Sequence, residues 1–145
     1  MGDVRINVRI QAVLKSGALS AKGFREVEAL VDTGASKTIV SEHLASLIGI
    51  RRLAMTGGVS GIGEVIDVPV GVALLHARGV TCDPEPLLVG ISDRIAHEAG
   101  AEIILGHDYM QPRRMVVRPY ARSAACEPRP NPRARSAPRA TKARR

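Results

Sequence analysis

The stretch "EALVDTGASKTIV", residues 28–40, decides how this chain folds. An apolar run breaks at Asp32, Thr33 and Gly34, and apolar residues resume at Ile39. A carboxylate between two strand-like segments is costly to bury unless the protein satisfies it or uses it. The tripeptide alone is also compatible with a simple Asp/Gly turn that joins two strands.

Strands are predicted along most of the chain, because apolar residues recur with a period of two. In the first strand the alternating apolar residues are Val4, Ile6, Val8, Ile10, Ala12 and Leu14. Further strands are predicted at 24–31, at 66–74, at 85–91 and in "RRMVVRP", 113–119.

Helix signals are few. Ser41 fits the N-cap and Gly49 the C-terminal stop of one short helix. The segment "EIILGHDYM", residues 102–110, predicts a strand that runs through Gly106 into a second short helix. The sequence therefore predicts a mostly β fold with one or two short helices, and no internal repeat is evident.

The glycine-rich stretch before residue 66 predicts a β-hairpin that feeds a long strand. Gly61, Ile62 and Gly63 lack the third glycine of a dinucleotide-binding loop, and a strand pattern follows them where that loop would open a helix. Ser60 lacks the second glycine of a nucleophile elbow, G-x-S-x-G. Both of these readings are rejected.

No metal site is predicted, because the histidines are far apart and never have the i, i+4 spacing of a zinc-binding helix. They are His43, His76, His97 and His107.

The basic charge belongs to the C-terminal segment. Residues 119–145 hold eight Lys/Arg and one Glu, a net +7, whereas residues 1–118 balance to zero. Five of the nine prolines also lie in this segment, which has few large apolar side chains and is expected to be disordered. With three aromatic residues in the chain there is no stacking platform, so contact with nucleic acid is expected to be nonspecific at most.

Two cysteines, Cys82 and Cys126, are too few and too far apart to suggest a disulfide framework, and free thiols in a reducing compartment are expected. No stretch has the roughly 18 consecutive apolar residues of a membrane span, and the N-terminus lacks the apolar region of a signal peptide. The sequence thus predicts a cytoplasmic protein without membrane attachment.

Three motifs in order resemble the retropepsins, the retroviral-type aspartic proteases, across roughly residues 3 to 118. They are the Asp-Thr-Gly-Ala-Ser run that begins at Asp32, the glycine-rich hairpin about 25 to 30 residues later, and Ile-Leu-Gly at 104–106. Agreement among several motifs is more specific than any one of them. The resemblance implies a closed β-barrel of the acid protease type, with one lobe per chain in a domain of residues 1–118 followed by the tail, 119–145.

The resemblance also implies a role for each matching residue. Asp32 would be the catalytic acid, Thr33 would hold two active-site loops together, and Gly34 would let the backbone bend beside the acid. Ala35 would line the floor of the substrate cleft. The other matches are the tip of a flap, Gly61, Ile62 and Gly63, and the loop that supports the aspartate, Leu105 and Gly106.

The implied enzyme is a homodimeric endopeptidase that needs no cofactor. A chain with one Asp-Thr-Gly triplet must obtain its second carboxylate from a copy of itself, across a two-fold axis. Two carboxylates in contact cannot both ionise, so they share a proton while a water attacks the peptide bond. The substrate would be an extended polypeptide bound as an added strand beneath the flap.

One departure from the family pattern concerns the subunit contact. Viral enzymes usually carry an arginine after Ile-Leu-Gly that pairs with an acid beyond the triplet, whereas this chain has His107 and Ser36 at these positions. That inter-subunit ion pair is absent or replaced. The alternative function is a catalytically silent module for dimerisation or peptide binding, with a tail that binds nucleic acid or other anions.

Overall fold

The computed structural model describes residues 3–61, 64–77, 84–112, 115–118 and 123–126. These residues form nine strands and three short helices, which confirms the mostly β prediction. In chain order the elements are β1 (Val4–Val13), β2 (Leu19–Val31), β3 (Ile39–Val40), α1 (Glu42–Ile48), β4 (Thr56–Gly61), β5 (Glu64–Ala77), β6 (Glu85–Ile91), α2 (Asp93–Ala99), β7 (Ile103–Leu105), α3 (His107–Met110), β8 (Met115–Arg118) and β9 (Ser123–Cys126).

Six of the strands close into a barrel. Their order is β1-β2-β7-β3-β6-β5, and β5 pairs with β1 to complete the circle. β4 pairs only with the first part of β5, so these two strands project as an antiparallel hairpin. The β2–β7 and β3–β6 pairs are parallel, and the other neighbouring pairs are antiparallel. The closed barrel agrees with the fold class predicted from the sequence.

The insertion of β7 between β2 and β3 positions the candidate site. β2 and β7 run in parallel with Val31 opposite Leu105, so both strands end at the same level of the barrel. The residues that follow them, Asp32 and Gly106, are therefore brought side by side, although 74 positions separate them in the sequence.

The period-two pattern of β1 holds inside the strand and fails at its end. Val4, Val8 and Ile10 are buried in the main core, as the alternation predicts. Leu14 was included in the same pattern but is 40% exposed. β1 ends at Val13, and the chain turns there, because the Gly17 N–H donates to the Leu14 carbonyl at 2.8 Å.

The first predicted helix is confirmed, and a further one was not anticipated. α1 begins after Ser41, whose hydroxyl accepts from the Leu44 N–H, and ends at Gly49 with a φ of 77°. α2 has the same construction, with Ser92 as its N-cap and Gly100 at a φ of 66°. The described residues thus contain one helix more than the sequence indicated.

The folded region extends beyond residue 118, where the sequence analysis placed the end of the domain. Residues 123–126 form β9 in antiparallel register with β8, and Ala124 is 7% exposed in the main core. The expectation of disorder is therefore wrong for these four residues, because small side chains were enough to pair and pack against the barrel. Residues 127–145 lie outside the described part of the chain. In the described residues no helix is long and apolar enough to cross a membrane.

Candidate active site

Asp32 is the first residue after β2, at the open end of the barrel. Its N–H donates to the Leu105 carbonyl at 3.0 Å, which continues the parallel β2–β7 pairing by one more bond. Its Oδ1 accepts from the Gly34 N–H at 2.8 Å. The side chain is half-buried, and no described residue donates to its Oδ2. One carboxylate oxygen thus positions the group and the other remains available.

The turn after Asp32 is tight and partly exposed. The Ala35 N–H donates to the Asp32 carbonyl at 3.2 Å, and Thr33 and Gly34 lie at the surface. A Cβ at Gly34 would lie 3.2 Å from Asp32 Oδ1 and would crowd the carboxylate. Ala35 is half-buried and packs against a small apolar cluster that contains Ile104. The sequence analysis placed Ala35 at the floor of the cleft, and the structure puts it beside the carboxylate turn.

The loop after β7 packs directly on the backbone of the first loop. A Cβ at Gly106 would lie 2.5 Å from the carbonyl carbon of Lys37 and 2.6 Å from its oxygen, so no side chain fits at this position. The His107 N–H donates to the Ala35 carbonyl at 2.9 Å, and the Asp108 N–H donates to the Ser36 carbonyl at 3.2 Å. The predicted support residues Leu105 and Gly106 therefore contact the loop that carries Asp32.

The buried Thr38 and the half-buried Asp108 tie the loop of residues 32–38 to α3. The carboxylate of Asp108 accepts from the Thr38 N–H at 3.0 Å and from the Thr38 hydroxyl at 2.8 Å. The same hydroxyl accepts from the Gly106 N–H at 3.2 Å, and Thr38 is fully buried. The sequence analysis missed this pair. The available signal was a threonine at the start of an apolar strand, since a buried hydroxyl needs a partner.

His107 contacts Thr33 within the same chain. Its Nε2 is hydrogen-bonded to the Thr33 carbonyl, while the His107 side chain remains largely exposed. The sequence analysis expected the ion pair at His107 and Ser36 to be absent or replaced. That expectation concerns two copies of the chain and stays a prediction; within one chain, the His107 side chain holds the carbonyl of the exposed Thr33.

The glycine-rich hairpin lies over the loop of residues 32–38. The β4–β5 pairing continues to Gly61 opposite Glu64, so the predicted hairpin is confirmed. Two residues assigned to the flap tip, Ile62 and Gly63, lie outside the described residues. At the base of the hairpin, a Cβ at Gly57 would lie 3.1 Å from Lys37 Nζ.

A cavity of about 290 Å³ lies between the hairpin base and the loop. Residues from both sides line it, among them Lys37, Gly57, Val70, Leu87 and Asp108. Space for a side chain of a ligand therefore exists between the hairpin base and residues 36–37.

The residues around Asp32 lie within a stretch that matches a known protein family. Residues 19–112 match the family model described as gag-polyprotein putative aspartyl protease. The retroviral protease-like domain of Ddi1 from Leishmania major is 17% identical to this chain, over 86% of this chain and 89% of that one, with a TM-score of 0.48. The EIAV protease bound to the inhibitor HBY-793 is 18% identical, over 77% of this chain and 88% of that one, with a TM-score of 0.46. No curated protein matches the chain. The family match confirms the resemblance that the three motifs predicted.

Proposed function

The chain belongs to the gag-polyprotein putative aspartyl protease family, and we propose that it is an aspartic endopeptidase that acts as a homodimer. The observation that carries this proposal is the state of the Asp32 carboxylate. One oxygen is fixed by the Gly34 N–H at 2.8 Å, and the other has no donor among the described residues. A rigid acid with a free oxygen is what proton transfer to and from a bound water requires.

The second carboxylate would come from the Asp32 of another copy. The matched residues contain one Asp-Thr-Gly triplet, and the six-stranded barrel is already closed on itself. A two-fold axis beside Asp32 would place two identical carboxylates face to face. They would share one proton, so that one accepts a proton from the attacking water while the other donates to the scissile carbonyl.

The exposed side of the triplet has a surface that a second copy could cover. An open groove of about 700 Å³ begins at Thr33 and His107 and continues along Met110, Met115 and Val117. These side chains are mainly apolar, and Thr33, which the family assigns to the contact between the two active-site loops, lies at one end. Burial of this groove in a dimer would remove apolar surface from water and bring the two Asp32 turns together.

The proposed substrate is an extended polypeptide. The cavity between the hairpin base and the loop of residues 32–38 is lined by residues of β4, β5 and β6, and its walls are mainly apolar, which suits a side chain of a peptide bound as an added strand. By the family resemblance, the β4–β5 hairpin would be the flap that closes over it, and Gly61, Ile62 and Gly63 would match the residues of the flap tip. Water would then be excluded around the Asp32 pair.

The test compares wild type with Asp32→Asn on denatured proteins and a peptide library, at mildly acid and at neutral pH. Wild type is expected to cleave, and the variant is expected to lose activity by about 10²- to 10⁴-fold, the usual contribution of general acid–base catalysis. Glu98→Gln is the matched control, because it removes one exposed carboxylate on α2 that pairs only with Arg94 at 3.4 Å. Equal cleavage by wild type and Asp32→Asn would overturn the proposal.

The dimer has its own test. Equal amounts of wild type and Asp32→Asn are mixed and left to exchange subunits. If one site needs two chains, activity is expected to fall to about half that of the same wild type alone, because half of the wild-type chains then sit in mixed pairs. A mass measurement in solution should give a dimer. Unchanged activity after demonstrated exchange would show that each chain works alone.

A further inference from the structure

Lys37 is a half-buried cation at the edge of the candidate cleft, five residues after Asp32. No described acidic side chain lies within 4.0 Å of its Nζ, and it makes no side-chain hydrogen bond within the described residues. A partly desolvated ammonium group without a counter-charge is unfavourable by itself and attracts an anion.

The backbone at Lys37 is fixed on both sides. The Ser36 carbonyl accepts from the Asp108 N–H at 3.2 Å, and the Thr38 N–H donates to the Asp108 carboxylate at 3.0 Å. Gly106 packs against the Lys37 backbone so closely that a Cβ there would lie 2.5 Å from the Lys37 carbonyl carbon. The backbone position from which the Lys37 side chain extends is therefore fixed in the loop that also carries Asp32.

The Lys37 side chain reaches across to the base of the hairpin. Its Nζ lies 3.1 Å from the position that a Cβ at Gly57 would occupy, so a side chain at residue 57 would crowd the ammonium group. Lys37 and Gly57 line the cavity of about 290 Å³, and the aliphatic side chains of Val70, Leu87 and Leu88 line it too. The cavity thus has apolar walls and one cationic end.

Asp108 also lines this cavity, but its carboxylate does not lie within 4.0 Å of Lys37 Nζ. Its Oδ2 accepts from the Thr38 N–H at 3.0 Å, and its Oδ1 accepts from the Thr38 hydroxyl and the Tyr109 N–H, each at 2.8 Å. Both carboxylate oxygens are thus engaged in holding the two loops together. Among the described residues that line the cavity, no other side chain is acidic.

We propose that Lys37 makes this protein selective for peptides that carry an aspartate or glutamate side chain at one fixed position beside the scissile bond. This inference rests on the proposed function. The carboxylate would enter the cavity and pair with Nζ, while the methylene groups of a glutamate would contact the aliphatic walls. Because the surroundings are partly desolvated, the pair is worth more than one on an exposed surface, and a basic side chain at this position would be repelled.

The experiment profiles cleavage of a peptide library in which each position around one scissile pair is varied in turn. Wild type is expected to prefer Asp or Glu at one position by roughly tenfold in kcat/KM over the matching Gln or Asn peptide, and to disfavour Lys and Arg there. Lys37→Met should abolish this preference, so that the Asp and Glu peptides are cleaved no faster than the matching Asn and Gln peptides. Lys37→Glu should invert it, so that Lys and Arg are favoured at the same position.

The controls separate this proposal from the one on which it rests. Lys15→Met makes the same charge change on an exposed turn and should keep the wild-type profile. Circular dichroism and thermal unfolding should show that Lys37→Met folds. If Lys37→Glu does not fold, the cleavage profile of Lys37→Met alone tests the proposed selectivity. An identical profile for wild type and Lys37→Met would overturn the selectivity and leave the protease intact. If wild type cleaves no library member, the proposed function fails and this inference fails with it.

Discussion

Two aspartates, Asp32 in the turn after β2 and Asp108 in α3, lie at the same end of the barrel and are used in opposite ways. Each follows a strand of the parallel β2–β7 pair. Asp32 accepts one hydrogen bond, from the Gly34 N–H, and no described residue donates to its other oxygen. Asp108 accepts three, from the N–H and hydroxyl of Thr38 and from the Tyr109 N–H.

The hydrogen bonds of the two carboxylates indicate different roles: Asp32 is suited to proton transfer, and Asp108 stabilises the fold. A carboxylate whose two oxygens both accept from fixed donors stabilises the fold and is less available to a ligand. A carboxylate with one anchored and one free oxygen is oriented and can still exchange a proton. Substitutions at the two positions should therefore affect different measurements.

The largest expected effect is on the activity of Asp32→Asn. Loss of the acid should reduce kcat/KM by about 10²- to 10⁴-fold. The free energy of unfolding should change by less than about 0.5 kcal/mol, because the asparagine oxygen can still accept from the Gly34 N–H and the site is partly exposed. Urea unfolding at a fixed protein concentration, with peptide cleavage alongside, measures both quantities. A large loss of stability would show that Asp32 supports the fold as Asp108 does.

Asp108→Ala should lower the free energy of unfolding much more than it lowers activity. Removal of the carboxylate leaves the buried Thr38 N–H and hydroxyl without their acceptor, and each unsatisfied buried group costs about 1–3 kcal/mol. We expect the free energy of unfolding to fall by about 2–4 kcal/mol. The folded fraction should keep kcat/KM within about tenfold of wild type. Complete inactivation at unchanged stability would contradict the assignment of Asp108 to support.

Thr38→Val tests the other half of the same pair with a smaller change. The valine has nearly the same shape, but the Gly106 N–H loses its acceptor and Asp108 loses one donor. The expected destabilisation is about 1–2 kcal/mol. Thr38→Ser retains the hydroxyl and is the matched control. If the effects of Thr38→Val and Asp108→Ala simply add in the double variant, the two residues are not coupled as their contacts require.

Ser36→Ala should have the smallest effect. Ser36 is exposed, and the Asp108 N–H bonds to its backbone carbonyl, which the substitution leaves in place. The free energy of unfolding should change by less than about 0.5 kcal/mol. A loss above about 1 kcal/mol, measured by the same urea titration, would mean that the Ser36 side chain carries part of the support attributed to Asp108.

Most strands could be predicted from the sequence, because alternation of apolar residues is a local signal. Helix α1 could be predicted for the same reason, since Ser41 and Gly49 bracket three buried apolar residues. The signal was weaker in α2, where Ala96 is buried and Ile95 is half-buried. Yet the two segments align closely, with "VSEHLASLIG" at 40–49 and "ISDRIAHEAG" at 91–100. No internal repeat was predicted, but the caps repeat, and the buried residues Leu44, Ala45 and Ile48 align with Ile95, Ala96 and Ala99, of which only Ala96 is buried.

The site could be predicted only in part. Asp32, Thr33 and Gly34 were found because they form a contiguous motif, and Gly106 was found by its place after an apolar run. The partnership of Thr38 with Asp108 joins residues 70 positions apart, and no local pattern records which buried hydroxyl meets which carboxylate. The cavity beside Lys37 was missed for the same reason, because its walls come from three strands, one loop and α3.

The strand β5 belongs to two structures at once. Up to Pro69 it pairs with β4 in the hairpin, and from Val70 onward it is a strand of the barrel between β6 and β1. Just past this boundary, Gly71 lies so close to Ile50 and Arg51 that any Cβ there would collide with them. The hairpin is therefore joined rigidly to the barrel through one continuous strand. If a ligand displaces the hairpin, we expect the effect to reach the barrel part of β5. Slower hydrogen exchange of the backbone amides of Ala73–Ala77 would then detect ligand binding away from the cavity.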